Sequence, residues 1–409
     1  MTLKRQLGTG WEVLQLGFSP VLVTGLTAAP TLVGNLLIFR SLPVEAAGTY
    51  NLVLVFSAFV LLLGLLGQNT VILRCYPRQE SGVFNWQRDL LTGSLLSVPV
   101  VLVVTLFIEL FTQAGPTVTR VTAVNVFLMV VTIQGAAMLS AHGHYTLGAM
   151  LLRLSNSAMI IPGVVGLFSP LRLGLVLGVF LGGSLVSAVA TVLLLLWKVP
   201  NGSQTLRPAE RRDGVMFMLS SGSGVYVEQG FIGFAQPIVG NAGIAALGAI
   251  SAPLKVYDLI RTTLYPVLQS EVNRREHPRY GQVFLLMGVG LGLAGLVTVL
   301  GLPPLLDWLY QGRYAASMWL VGPLTVYRLL LILALVPYSH LVGRTDQKTL
   351  YTFIWVRTLL LAGIFGAGLW WIQGHDLPGV AQMLVVFGAV VLLIALLFFG
   401  RSRLAAESG

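Results

Sequence analysis

The chain carries the uninterrupted apolar run PGVAQMLVVFGAVVLLIALLFF at residues 378–399. The run contains no Asp, Glu, Lys or Arg, and an α-helix of this length spans the hydrocarbon core of a bilayer. Scanning the rest of the sequence for runs of about 20 apolar residues predicts about twelve membrane helices in all. The runs lie near residues 14–38, 47–73, 90–112, 121–141, 145–168, 173–197, 214–238, 243–270, 282–303, 315–338, 349–372 and 378–399.

The composition leads to the same class of protein. Of 409 residues, 10% are charged and 56% are hydrophobic, and the mean hydropathy is +0.84. Soluble domains carry about 25% charged residues, so a soluble fold is excluded. The single cysteine, Cys75, excludes a disulfide framework within this chain. The sequence therefore predicts an all-α integral membrane protein.

The basic residues between the runs predict the orientation. Most of them fall in the connections on the side of the N-terminus, and such residues stay on the cytoplasmic side of a membrane. The exceptions are Arg40, Arg120, Arg172 and Arg313. We expect a multi-pass protein of the inner (plasma) membrane with both termini in the cytoplasm. The first run is expected to be retained as its first helix. Topology and anionic membrane lipids account for the formal net charge of +10, so no nucleic acid is expected.

The two halves of the chain show a weak repeat at an offset of 200 residues. Gly48 lies at the start of the second run as Gly248 lies near the start of the eighth, and each of these two runs is expected to continue without a gap to a basic end. Six helices per half give parallel repeats. We therefore predict an N-terminal six-helix lobe at residues 1–198, a cytoplasmic linker at 199–213, and a pseudo-symmetric C-terminal lobe at 214–409. The two lobes are expected to enclose a central cavity.

Ionisable side chains near the middle of predicted helices are the main functional signal. A charge at the bilayer centre costs roughly 2.5 to 3.5 kcal/mol, so such residues face a wet cavity or one another. Five cations and two carboxylates sum to +3, which favours an anionic ligand, and the planar fork of arginine suits phosphate oxygens. The candidate substrate-binding residues are Arg153, Glu228, Lys255, Asp258, Arg261, Arg328 and Arg357.

Residues Lys255, Asp258 and Arg261 are spaced so that they share one face of the eighth helix. A purely structural interpretation pairs Lys255 with Asp258 and Glu228 with Arg261, and it stays open beside the ligand-binding one. Uncharged polar residues within the runs are candidates for completing the lining, but for most of them a hydrogen bond between helices is the expected role. Examples are Asn51, Gln68, Asn125, Gln134 and Gln236.

The sequence contains no P-loop, no G-x-S-x-G and no H-E-x-x-H motif. We therefore expect no catalytic residues, no metal site and no cofactor, and the protein is not expected to be an enzyme.

Three segments resemble one known family. The segments are FRSLPVEAAGTY at residues 39–50 followed by a helix that ends in VILR at 71–74, YPVL at 265–268, and LVGRTDQKTL at 341–350. They are similar to the Wzx-type oligosaccharide flippases of the multidrug/oligosaccharidyl-lipid/polysaccharide (MOP) superfamily. The likeness covers nearly the whole chain in layout, although its local motifs are degenerate.

The resemblance implies a MATE-like fold of two six-helix lobes that opens alternately to each side. It implies that a polyprenyl-pyrophosphate-linked oligosaccharide is carried to the outer leaflet for cell-surface polysaccharide (O-antigen) assembly. Membrane lipids and the polymerase and glycosyltransferases of the same pathway are the implied partners. The chain departs from the family in having no charge in the middle of its first two helices.

Two alternatives remain open. A cation-coupled multidrug exporter of the same fold is expected to have an acidic cavity for cationic drugs, whereas the buried charges here sum to a positive value. A membrane oligosaccharide polymerase or ligase is expected to place a sizeable catalytic loop outside the membrane, and the outer connections predicted here are short.

Overall fold

Helices make up almost all of the computed structural model, which describes residues 28–76, 83–274, 280–345 and 347–408. Within those ranges, ten helical segments are long and apolar enough to cross a membrane. This confirms the predicted all-α membrane fold. The number of twelve stays a prediction, since much of the run near 14–38 lies outside the described residues. The ten segments are Val44–Leu65, Trp86–Phe111, Gly115–Ala141, Tyr145–Phe168, Leu173–Lys198, Gln236–Arg261, Gly281–Tyr310, Ala315–Val342, Lys348–Ile372 and Asp376–Ser402.

The chain divides into two compact units, which we call the N-terminal unit, Pro30–Gly248, and the C-terminal unit, Ala249–Gly409 together with Met1–Ala29. The predicted division into two six-helix lobes at 1–198 and 214–409, which was drawn from the sequence repeat, stays a prediction. Helices that begin in the N-terminal part of the chain are α1 (28–41), α2 (Val44–Leu65), α3 (Gln68–Cys75), α4 (Trp86–Phe111), α5 (Gly115–Ala141), α6 (Tyr145–Ser157), α7 (Ile160–Phe168), α8 (Leu173–Lys198), α9 (Pro208–Val225), a π-helical turn (Tyr226–Gly230), α10 (Phe231–Phe234) and α11 (Gln236–Arg274).

Helix α11 passes from the N-terminal unit into the C-terminal unit, and near its start Gly240 has non-helical angles, φ 69° and ψ 174°. The helices that follow belong to the C-terminal unit. They are α12 (Tyr280–Tyr310), a 3₁₀ turn (Ala315–Leu320), α13 (Val321–Leu333), α14 (Leu335–Arg344), α15 (Gln347–Ile372) and α16 (Asp376–Ser408).

Helix α5 forms the centre of the N-terminal unit. It packs against α2, α4, α6 and α8. In its most apolar stretch 61% of the residues are buried, against 28% of those in the corresponding stretch of α4. In the C-terminal unit α16 packs against α13, α14 and α15. In the apolar stretch of Ala315–Val342, 61% of the residues are buried, against only 6% in that of α12. Both units therefore contain enclosed helices and helices with broad apolar surfaces suited to lipid.

The second predicted run does not continue without a gap to Arg74, so that prediction is wrong. The helix breaks after Leu65, because Leu66 has a φ of 49° and Gly67 has a φ of 67°, both in the left-handed region. A Cβ atom at Gly67 would overlap the carbonyl oxygen of Gly214 in α9. The left-handed conformation and the neighbouring backbone both require glycine at this position.

The two glycines of the sequence repeat both lie where helices approach closely. A Cβ atom at Gly48 of α2 would overlap the carbonyl oxygen of Asn241, and one at Gly248 of α11 would come 2.5 Å from the Asn51 side chain. The Asn51 amide donates a hydrogen bond of 2.9 Å to the carbonyl oxygen of Ile244. Thus α2 and the first part of α11 pack with almost no space between their backbones.

We expect Gly48→Ala to lower the free energy of unfolding by about 1 to 3 kcal/mol, because the added methyl group overpacks this contact. Gly182→Ala in α8 is the matched control, since nothing lies within 4 Å of its Cβ position. The control is expected to be neutral or stabilising by about 0.5 to 1 kcal/mol. Thermal melting in detergent measures both, and equal melting of Gly48→Ala and the wild type would contradict the close packing.

Candidate functional site

A buried ion pair joins α11 and α13 in the C-terminal unit. The Nη1 atom of Arg328 lies 3.0 Å from Oδ1 and 3.0 Å from Oδ2 of Asp258. Arg328 is 5% exposed and lies near the middle of the apolar segment Ala315–Val342. A guanidinium at this position needs a counter-charge, and Asp258 supplies it.

Asp258 also faces a second arginine one helical turn further along α11. The Nη2 atom of Arg261 lies 3.9 Å from Oδ1 of Asp258, and the two side chains are 25% and 29% exposed. We call Asp258, Arg261 and Arg328 the Asp258 cluster. Its three charges sum to +1, and its more accessible side is formed by Arg261 and Asp258.

The structure changes the predicted pairing. The structural interpretation of the sequence gave Asp258 to Lys255 and left Arg328 among the surplus cations, whereas here Asp258 holds Arg328. The side chain of Lys255 is exposed. Arg328, which the sequence left among the surplus cations, therefore has a close carboxylate partner.

Arg357 on α15 occupies a different environment, which we call the aromatic box. Its guanidinium carbon lies 5.3 Å from the ring centre of Tyr338 and 5.1 Å from that of Phe353, and the residue is 6% exposed. The Tyr265 ring lies 5.7 Å from that of Tyr338. Ring faces attract a cation, so the box fixes the direction of the guanidinium.

The remaining predicted residues lie in the N-terminal unit. Arg153 is half-buried on α6, and Glu228, which is 6% exposed, belongs to the π-helical turn that packs against α2. Within the described contacts, the structure brings three of the seven candidates together, in the Asp258 cluster. That the candidate residues line a central cavity stays a prediction.

Several uncharged polar residues of the runs bond across helices, as expected for most of them. The Asn125 side chain accepts a hydrogen bond of 2.7 Å from the Ser184 hydroxyl. The Gln236 side chain accepts one of 3.0 Å from the backbone amide of Gln113. Together with the Asn51 bond to α11, these contacts connect helices and do not mark a lining.

The sequence analysis missed a buried carboxylate at the start of α4. Asp89, whose side chain is 0% exposed, lies 2.6 Å from Nη2 of Arg211 on α9. It also accepts a hydrogen bond of 2.9 Å from the Tyr76 hydroxyl and one of 3.1 Å from the backbone amide of Leu206. Arg211 in turn donates to the side chain of Gln68 at 3.1 Å. We call these five residues the Asp89 network.

The aromatic surroundings of the Asp89 network explain its burial. The Tyr76 ring stacks on Phe84 with centres 4.4 Å apart. Burial raises the pKa of the Tyr76 hydroxyl above its ordinary value, and the charge of Asp89 raises it further. Tyr76 therefore remains a hydrogen-bond donor at all physiological pH values. Opposite charges in two connections were the only sequence signal for this network, and no spacing rule joins residues so far apart.

In the part of the chain that the structure describes, no three His, Cys, Asp or Glu side chains form a cluster that could hold a metal ion. The arrangement found in the C-terminal unit instead consists of arginines in apolar helices, one carboxylate and several aromatic rings. Arginine side chains of this kind are the groups that pair with phosphate and carboxylate oxygens in proteins.

Comparison with known proteins gives structural neighbours only. No family model matches the sequence, and no curated protein matches it. The chain is similar to an inward-facing multidrug resistance MATE family transporter of the MOP superfamily, with 14% identity, a TM-score of 0.67, and coverage of 93% of this chain and 95% of that chain.

A second neighbour is the lipid II flippase MurJ in an inward closed conformation, with 13% identity, a TM-score of 0.69, and coverage of 93% of this chain and 87% of that chain. A third is the eukaryotic MATE transporter AtDTX14, with 11% identity, a TM-score of 0.59, and coverage of 96% and 95%. At such identities the likeness concerns the fold. The predicted MATE-like membrane fold is thereby confirmed.

Proposed function

We propose that this protein is a Wzx-type flippase. It moves a polyprenyl-pyrophosphate-linked oligosaccharide from the cytoplasmic to the outer leaflet of the inner membrane, with both termini in the cytoplasm. The observation that carries the proposal is the Asp258 cluster, in which two arginines share one carboxylate within apolar helices. Fixed positive charge at such a depth faces a wet cavity or a partner group, and an anionic ligand is one such partner.

The geometry of the cluster suits a phosphate ligand. Arg328 is held by Asp258 and serves as the fixed part, whereas Arg261 is a quarter exposed and lies at the longer distance of 3.9 Å from that carboxylate. Arg261 can therefore turn its fork towards a pyrophosphate while Asp258 keeps the buried arginine neutralised. Arg357 adds a further cation in the same unit, pre-oriented by the aromatic box.

Flipping requires no covalent chemistry. It requires two states of similar energy that expose the polar head group alternately to the two sides. The solved structures that this chain resembles are named as transporters and as a flippase, and their fold supports such a cycle. We accordingly propose a transporter and not an enzyme, with the polymerase and glycosyltransferases of polysaccharide assembly as partners.

Reconstituted vesicles test the proposal directly. The purified protein is placed in liposomes with a fluorescent polyprenyl-pyrophosphate oligosaccharide, and its arrival in the opposite leaflet is followed by a membrane-impermeant quencher. The same lipid with a single phosphate is the matched comparison. We expect rapid exchange of the pyrophosphate lipid and at least about tenfold slower exchange of the monophosphate, since one charge-assisted interaction contributes about 1.5 to 3 kcal/mol.

Other outcomes identify the alternatives. Uptake of cationic drugs driven by an ion gradient, with no lipid exchange, identifies a multidrug exporter. Lengthening of the oligosaccharide in the same vesicles identifies a polymerase or ligase. Either outcome contradicts the flippase proposal.

A further inference from the structure

The segment between α8 and α9 is fastened to the start of α4. Phe84 and Gln204 form a parallel β-bridge, and the backbone amide of Gly202 donates a hydrogen bond of 3.0 Å to the carbonyl oxygen of Phe84. Beneath this bridge Leu206 is 4% exposed and belongs to the same apolar cluster as Tyr76. The segment is thus part of the packed N-terminal unit and does not behave as a loose tether.

The Asp89 network provides the charged part of this attachment. Asp89 joins three elements, because its partners belong to the end of α3, to the connecting segment and to α9. Pulling the connecting segment and α9 away would leave the buried carboxylate of Asp89 without the Leu206 amide and without Arg211. Breaking a buried pair by removing one partner costs about 3 to 5 kcal/mol. Such a contact is too strong to be opened and closed without a large compensating interaction.

The attachment continues along the seventh predicted run. Gly67 and Gly214 bring the backbones of α3 and α9 into direct contact. Further on, the ring of Phe234 in α10 lies 6.0 Å from those of Phe56 and Phe59 in α2 and 5.8 Å from that of Phe107 in α4. Charged, backbone and aromatic contacts therefore hold residues 199–234 to α2, α3 and α4 at three places along this stretch.

We propose that residues 199–234 stay attached to α2, α3 and α4 through the whole transport cycle, with the Asp89 network as a permanent clamp. The moving boundary then lies along α11, after the close contacts that Asn241, Ile244 and Gly248 make with α2, and not in the connecting segment at 199–213. The boundary between the two sequence repeats and the boundary between the moving parts therefore lie at different places along the chain. This inference rests on the proposed function in one respect, because it requires that the protein passes through a transport cycle.

A cross-link across the clamp is the first test. The side chains of Gln87 and Asn201 are exposed and joined by a hydrogen bond of 3.1 Å. In a Cys75→Ala background, Gln87→Cys and Asn201→Cys are bridged with a short, reducible bis-thiosulfonate reagent, and lipid exchange is compared before and after reduction. We expect the cross-linked protein to retain at least half of the exchange rate. Loss of exchange that returns on reduction means that the clamp opens in each cycle and overturns the proposal.

The single native cysteine supplies a second readout that does not depend on transport. Cys75 packs against the apolar cluster beneath the clamp. We expect maleimide to label it slowly in the otherwise unchanged protein and about tenfold faster or more in Asp89→Asn and Arg211→Gln. Arg212→Gln is the matched control, because the exposed neighbouring arginine carries the same charge on the same helix.

The two readouts separate the two proposals. If the wild type moves no lipid, the flippase proposal fails while the labelling of Cys75 still tests the clamp. Equal labelling of Asp89→Asn, Arg212→Gln and the wild type contradicts the clamp, whatever the vesicles show.

Discussion

Asp258→Ala is expected to destabilise the C-terminal unit by about 3 kcal/mol. The substitution leaves the guanidinium of Arg328 in an apolar helix without the carboxylate that lies 3.0 Å from it. The expected value is at the lower end of the range for buried pairs, because the Asp258 side chain is 29% exposed and water reaches part of the site. Thermal melting in detergent and the yield of monodisperse protein measure the effect.

The double variant Asp258→Ala with Arg328→Met provides the matched control. Replacing both members of a buried ion pair by apolar groups is often neutral or stabilising, so the second change is expected to restore most of the lost stability. Arg328→Met alone is expected to cost less than Asp258→Ala, since the remaining carboxylate is more accessible and keeps Arg261 nearby. If Asp258→Ala melts like the wild type, the pair does not hold α11 against α13.

The membrane fold was predictable because bilayer thickness imposes one length on every span. Runs such as 90–112 and 173–197 reappear as Trp86–Phe111 and Leu173–Lys198, with ends shifted by a few residues. The break at Leu66 and Gly67 was not predictable. It depends on the backbone of Gly214 approaching α3, and apolar periodicity carries no information about such an approach.

The candidate site was predictable in part. Helical spacing placed Asp258 and Arg261 on one face of α11, and the structure confirms their proximity at 3.9 Å. Arg328 was identified as a buried cation, but its partner was not, because the contact between α11 and α13 is set by tertiary packing. In the same way the sequence marked Arg357 by its position and gave no sign of the rings of Tyr338 and Phe353 around it.

The Asp89 network was not predictable from the sequence. Asp89 lies in the first turn of α4, where an acidic residue is ordinary because it complements the helix dipole. Its burial arises from the connecting segment folding back over it, with Leu206 and Arg211 more than a hundred positions away. Sequence reasoning identifies a charge as unusual by its depth in an apolar run, so a charge at a helix end attracts no attention.

Arg261→Ala is expected to lower lipid exchange by on the order of ten- to a hundredfold, the equivalent of the 1.5 to 3 kcal/mol that a charge-assisted hydrogen bond contributes. Stability is expected to change little, because Arg261 is a quarter exposed and its distance to Asp258 is long. Exchange of the polyprenyl-pyrophosphate lipid in vesicles, with melting temperature measured on the same preparation, separates binding from folding.

Arg261→Lys and Arg172→Ala complete the set. The lysine variant keeps the charge and loses the planar fork, so its exchange is expected to lie between those of the alanine variant and the wild type. Arg172 is exposed at the start of α8, and its removal is expected to leave exchange unchanged. If Arg261→Lys equals the wild type, charge alone suffices and the fork has no role.

The decisive comparison joins Arg261 with Arg357. Arg357→Ala empties the aromatic box and is expected to lose both exchange and stability, whereas Arg261→Ala is expected to lose exchange alone. A ligand that bridges the two cations predicts that the double variant is hardly worse than the more defective single one, since either loss already breaks the bridge. Normal exchange in both single variants is incompatible with a cationic binding site, and the function would then have to be sought among residues of the N-terminal unit.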